Sequence, residues 1–292
     1  MVVALAIVRD LFSGTAAATV LSRLMLVMGA APIFAPTIGG AILVAGSWRW
    51  VFAALAIMGV LLLILAVTSL KETLPPERRR QAELIPILKT YGTLLRDRQF
   101  VVLAFVAATG MSALFAYIAG ASFVLQDGYG LNEQQFAIIF GIGGIAIIGA
   151  SQLNVPLLSR YSPRQIVLAG LTSATAVSTI MLILATTGIG GLIGFLIPLW
   201  FVLASVGFVL PNAPALALSR HGEAAGTAAA LLGAAQFGLG ALVAPVVGIL
   251  GNTATAMALT MTTGSLIGLI ALTAVMASAR RKTTASDVRV QT

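Results

Sequence analysis

The chain has 292 residues, of which 59% are hydrophobic and 9% charged, and a formal net charge of +8. Soluble domains carry about 25% charged residues, so this composition excludes a water-facing globule and predicts an all-α integral membrane protein. There is no cysteine and only one histidine, His221, which excludes a disulfide framework, a thiolate nucleophile and any multi-histidine metal site.

Taken in order, the chain reads as one partial and eight full spans. Residues 1–8 are apolar but too short for about 30 Å of hydrocarbon, which needs about 20 residues. They read as the tail of a helix ended by Arg9 and Asp10. With no basic run before them, they do not read as a cleavable signal peptide. The first full span is expected over 22–44, and Trp48, Arg49 and Trp50 mark an interface before the next, over 51–70. Residues 71–98 hold seven basic and four acidic residues and the Pro75–Pro76 pair, and read as a polar linker between two halves. Spans are then expected over 99–125, 135–157, 165–187, 192–216, 225–250 and 255–278. A basic tail over 280–292 is expected to be disordered. The division is therefore 1–70 as the remainder of one helical bundle, 71–98 as linker, 99–279 as a six-helix bundle and 280–292 as tail.

Positive charge orients these spans. With the linker placed in the cytoplasm and sides alternating, sixteen of the seventeen basic residues fall on the cytoplasmic side and only Arg49 on the other. The tail is then cytoplasmic. The excess of positive charge is an orientation signal, not a nucleic-acid surface. No Lys, Arg, Asp or Glu lies mid-span, so no intramembrane carboxylate offers itself as a proton carrier.

The stretch GAAPIFAPTIGG over 29–40 carries the strongest pattern. At 100° per residue, Gly29, Pro32, Pro36, Gly39 and Gly40 fall within an arc of about 100°. That face has almost no side chain and lacks two backbone N–H groups, so it suits either close helix packing or a hinge. A second copy stands further along the chain. Residues 13–18 (SGTAAA) match 225–230 (AGTAAA), and 35–39 (APTIG) match 244–248 (APVVG), at offsets of 212 and 209. Pro245 and Gly248 thus stand where Pro36 and Gly39 do, which points to a parallel duplication. Symmetry then expects three spans and most of a fourth, about a hundred residues, ahead of Met1.

With this pattern in place, the residues resemble the Bcr/CflA drug-resistance branch of the major facilitator superfamily. The run AIVRDLFSG over 6–14 resembles the end of its fourth helix, and LSRLMLVMG over 21–29 resembles the start of its fifth. The 29–40 face resembles the fifth-helix antiporter motif, with Ala35 in place of a frequent glycine. Residues 72–79 (ETLPPERR) resemble the segment leaving helix six, and 211–218 (PNAPALAL) the end of helix ten. Leu5 replaces the arginine usual before AIVRD. The 159–164 loop resembles a degraded Asp-Arg-x-Gly-Arg loop, with Ser159 at the aspartate and Arg160 and Arg164 retained; these two either meet a helix end or are solvated. The resemblance implies secondary-active efflux of small amphipathic compounds, by proton antiport and alternating access, in a bacterial inner membrane. It implies a monomer with no cofactor and no nucleic-acid partner. It also implies a coupling carboxylate on a first helix outside this chain; a truncated, non-coupling fragment is the alternative.

Such a transporter needs an apolar, adaptable cavity near mid-bilayer. Met28, Met111, Phe115, Tyr117, Phe140, Trp200, Phe208 and Phe237 sit at that depth, and each is either a cavity residue or ordinary packing. Gln236 lies on the small-residue face of Gly233, Gly240 and Ala244. Asn212, between Pro211 and Pro214, reads as a cap for carbonyls those prolines free; Asn154 and Gln152 suit either role. Gly141, Gly143, Gly144 and Gly149 make a further close-packing span. No paired carboxylates, no His/Cys set and no filter sequence stand at membrane depth, which argues against an enzyme or a channel.

Overall fold

The computed structural model describes residues 38–44, 46–70, 84–219 and 224–290, with the single positions Ile7, Leu11, Val20 and Ala35. Gly29, Pro32, Pro36, Met28, Arg9 and Asp10 lie outside the described residues. Every regular element among the described residues is helical, and seven of the helices are long and apolar enough to cross a bilayer. The chain divides into two units, residues 1–83 and 84–292.

In the first unit, α1 spans Trp48–Ser69. Its 22 residues rise about 33 Å, the thickness of a hydrocarbon core. None of its side chains is buried, and its sequence is apolar on every side. Such a helix suits lipid contact around much of its circumference. Its first turn is an interfacial anchor: the Arg49 guanidinium lies 4.6 Å from the Trp48 ring centroid, and Trp48 meets Phe52 edge to face at 5.7 Å.

The second unit begins with α2, Leu84–Arg96, followed by α3, Arg98–Ser122, which runs on into a wider turn over Phe123–Gly128. The remaining helices are α4, Glu133–Leu157; α5, Pro163–Thr187; α6, Gly191–Leu218; α7, Ala225–Ile249; and α8, Ala254–Val290. Two expectations are corrected. Part of the stretch read as linker is helix α2, because LIPILKTYGTLLR carries an apolar stripe that can pack, with Leu94 fully buried. The tail read as disordered is helical as far as Val290, continuing α8 through residues of good helix propensity such as Ala, Arg and Lys.

Helix boundaries follow local chemistry. The Asp97 carboxylate accepts from the Gln99 N–H at 2.9 Å and starts α3. Asn132 with Gln135, and Ser162 with Gln165, form reciprocal capping boxes at the starts of α4 and α5, the latter with Pro163 in the first turn. Gly188 (φ 72°) ends α5 and Gly190 (φ 80°) precedes α6, both in the left-handed region that glycine adopts without strain.

The bundle is arranged around α3, which packs against α6, α7 and α8, while α5 packs on α6 and α8, and α4 on α6. Small residues bring the backbones close. A Cβ at Gly264 would lie 2.7 Å from Ser112 Oγ, and one at Gly207 would meet the Ile147 carbonyl and lie 2.8 Å from Ala150 Cβ. The α4–α6 seam is also fastened by polar groups. Pro211 lacks an N–H and so frees the Gly207 carbonyl; Ser151 Oγ donates to it at 2.8 Å. Asn212 Nδ2 donates to Asn154 Oδ1 at 2.7 Å and to the Phe208 carbonyl at 2.8 Å, with both asparagines buried. Asn212 is thus structural, but Ser151, not Asn212, caps the carbonyl that Pro211 frees.

Candidate functional site

Two aromatic residues on α3, two positions apart, point in nearly opposite directions and meet different partners. Tyr117 is buried, stacks on Phe140 of α4 at 4.8 Å with planes 9° apart, and donates its hydroxyl hydrogen to the Phe140 carbonyl at 3.1 Å. The space for its phenol exists because position 143 is glycine: a Cβ there would collide with the Tyr117 hydroxyl and lie 2.9 Å from Leu203 Cδ1. Tyr117 is therefore core, not a cavity wall, and Phe140 is held between Tyr117 and Phe136, whose ring centroid is 5.5 Å away.

Phe115 faces α7. Its ring meets Phe237 edge to face at 6.1 Å and occupies the volume left vacant at Gly240. Phe115 is half-buried and Phe237 is 59% exposed. Met111 lies one turn before Phe115 on the same face of α3 and is also half-buried. On α7, Gln236 is half-buried and its amide has no hydrogen bond among the described residues. Met111, Phe115, Gln236 and Phe237 therefore belong to one region, the α3–α7 surface; Tyr117 and Phe140 do not.

The exposed side of α7 continues from Phe237 through Gly238, Ala241, Leu242 and Pro245 to Ile249. These positions fall at i, i+4 and i+8 spacing, with the small residues Gly238 and Ala241 and the N–H-less Pro245 set among Phe237, Leu242 and Ile249, so helix approach there is closest at the small positions. Gly248 is exposed, with only Asn252 Oδ1 (3.7 Å) near the place of a Cβ. Gly39 and Gly40 have open space at theirs.

A separate cleft of about 630 Å³ lies between α4, α5 and α6. Its wall is almost wholly apolar and includes Leu153, Ala169, Trp200, Phe201 and Phe208, with Tyr161 and Gln165 at one end. Trp200 and Phe208, placed at cavity depth by the sequence, line this cleft and not the α3–α7 surface. Inside it, Ser205 Oγ donates to the Phe201 carbonyl at 2.8 Å and pairs with Ser173 Oγ at 3.0 Å. Arg160, on the α4–α5 connection, is exposed, and Arg164, in the first turn of α5, is half-buried; they flank Tyr161 and precede Gln165 in the chain. Sequence reasoning missed Tyr161, Gln165, Ser173 and Ser205. The signal was the row of small residues on three successive helices (Gly149, Ala169, Gly170, Ala204), which leaves unfilled volume where they converge. No group of three or more potential metal-ligating residues occurs among the described residues.

Comparison with known proteins gives these surfaces a context. The sequence profile of the Major Facilitator Superfamily matches residues 1–245. The chain is 37% identical over 273 residues to an uncharacterized MFS-type transporter, YdgK, of Bacillus subtilis, covering 93% of this chain and 68% of the relative. It is 29% identical over 267 residues to a bicyclomycin resistance protein homolog of Haemophilus influenzae, covering 91% and 67%. It is 26% identical over 277 residues to the multidrug resistance protein MdtL of a Shewanella strain, covering 94% and 68%. The bicyclomycin-resistance relative agrees with the Bcr/CflA resemblance carried by the 6–14 and 211–218 runs.

Proposed function

Because the chain belongs to the Major Facilitator Superfamily, a family of multi-pass membrane transporters that move small molecules and are not enzymes, we propose that it exports small amphipathic, drug-like compounds. The observation that carries the reading is Gln236. An amide in a membrane span costs about 1–3 kcal/mol if left without a partner. Here it stands without one among the described residues, beside the accessible Phe115–Phe237 pair. A bound amphipathic compound supplies what is lacking: a ring or chain against the two phenyl groups and a polar group for the amide. The names of the bicyclomycin-resistance and multidrug-resistance relatives support the same substrate class.

The proposed mechanism is alternating access driven by proton antiport, in a bacterial inner membrane and as a monomer. The small-residue faces at Gly29–Gly40 and at Pro245–Gly248 are the proposed hinge and packing surfaces, since a helix partner can shift across a face that has no side chains to unlock. The placement of the C-terminus in the cytoplasm rests on the sixteen basic residues that alternate to one side.

The test is drug susceptibility in a bacterial strain stripped of its own exporters. Expression of the chain should raise the inhibitory concentration of several amphipathic drugs, and a protonophore should abolish the increase. Gln236→Ala with Phe237→Ala should remove it for some compounds and not others. Resistance that survives the protonophore would refute proton coupling, and no resistance to any amphipathic compound from a well-inserted protein would refute export. Gly40→Leu or Gly144→Leu should abolish transport and leave insertion intact.

A further inference from the structure

The cleft between α4, α5 and α6 is not accounted for by the proposed transport surface. Ile145, Leu153 and Phe201 line it and are more than half exposed, so it opens sideways on the exposed flank of these helices. Its interior asks for nothing polar: Ser205 and Ser173 satisfy each other and the Phe201 carbonyl, and no buried side-chain polar atom among the described residues lacks a partner. An occupant in contact with that wall is therefore hydrocarbon.

Its length and its ends say which hydrocarbon. From Ile145 to Leu157 the α4 wall rises about 18 Å, and half of a bilayer core of about 30 Å is about 15 Å, so the cleft is one leaflet deep. One end lies at the α4–α5 connection, where Tyr161 and Gln165 turn polar. Arg160 and Arg164 are the chain neighbours of these two lining residues, and neither guanidinium has a partner among the described residues. The sequence contains no Asp or Glu between Glu133, at the opposite end of α4, and Glu223. Two cationic side chains, with no acidic residue near them in the sequence, thus adjoin the polar end of an apolar slot one acyl chain long.

We propose that this cleft holds an acyl chain of an anionic phospholipid whose phosphate sits on Arg160 and Arg164, with Tyr161 and Gln165 at the glycerol level. The two arginines choose the headgroup, as guanidinium forks pair with phosphate oxygens, and the small residues Gly149, Ala169 and Ala204 make the slot.

Trp200 lines the cleft and reports on it. The only other tryptophans are Trp48 and Trp50, so a Trp48→Phe, Trp50→Phe background leaves one fluorophore. The protein in that background is reconstituted into phosphatidylcholine vesicles containing either brominated phosphatidylglycerol or brominated phosphatidylcholine. Half-maximal quenching of Trp200 is expected at about a tenfold lower mole fraction of the anionic lipid, and Arg160→Gln with Arg164→Gln should erase that preference. Arg160 lies between α4 and α5 and Arg164 in the first turn of α5, and a circular-dichroism spectrum unchanged from wild type shows that the fold is kept. Gly149→Leu, which meets nothing within 4 Å at its Cβ and fills the slot, should weaken quenching by both lipids. Equal quenching by the two lipids in the starting protein, or a preference that survives loss of both arginines, would overturn the proposal. So would displacement of the brominated anionic lipid by an uncharged amphipath at comparable concentration, which would make the cleft a compound site.

Discussion

Phe115 and Tyr117 are both large aromatics on the same helix and differ in what the facing helices leave for them. Tyr117 enters a slot prepared by Gly143, stacks on Phe140 and spends its hydroxyl on a carbonyl. Phe115 lies over Gly240 beside a phenyl group that is 59% exposed and an amide with no protein partner among the described residues. Both rings occupy a volume that a glycine vacates, so a nearby glycine does not tell core from binding surface. What separates them is whether the polar group alongside is already satisfied.

The sharpest way to break the contrast is to close the slot. Gly143→Leu drives a side chain into the Tyr117 phenol and Leu203, and should cost about 3 kcal/mol, read as a fall of about 10 °C in the Tm of the detergent-purified protein. Severing the neighbouring seam comes next. Asn212→Leu leaves the Asn154 amide buried without its partner and should cost about 1 kcal/mol, and the double variant Asn154→Leu, Asn212→Leu should regain part of that loss. Tyr117→Phe removes one hydrogen bond and keeps the stacked ring, for about 0.5 kcal/mol and an unchanged resistance profile. Phe237→Ala, at an exposed position, should move stability least, by less than about 0.5 kcal/mol, while altering which compounds are exported.

The sequence showed the helical spans because length and hydropathy decide them, and the expected C-terminal spans each begin within two residues of an observed helix start. It did not show α2, since a polar stretch with a single apolar stripe resembles a linker until the stripe finds a partner. The α3 aromatics were legible as residue types at the right depth, but not as one core and one surface residue. That choice depends on whether Gly143 or Gly240 stands opposite, three-dimensional information that helical periodicity does not carry. Asn212 reads from its flanking prolines as a cap for a freed carbonyl, whereas it bonds Asn154 and the Phe208 carbonyl instead. The donor for the freed carbonyl, Ser151, comes from a helix 56 residues earlier in the chain and leaves no local mark. The cleft went unseen because it is made of what is missing: small residues on α4, α5 and α6 that read as ordinary membrane-helix composition.

The most direct measurement is binding of a fluorescent amphipathic cation such as ethidium to the purified protein, comparing Tyr117→Phe with the double variant Gln236→Ala, Phe237→Ala. If the α3–α7 surface holds the compound, Tyr117→Phe binds within about twofold of wild type and the double variant about tenfold or more weaker, the loss of one amide contact and one aromatic contact. Equal affinity for wild type and the double variant, or a larger loss in Tyr117→Phe, would contradict the assignment.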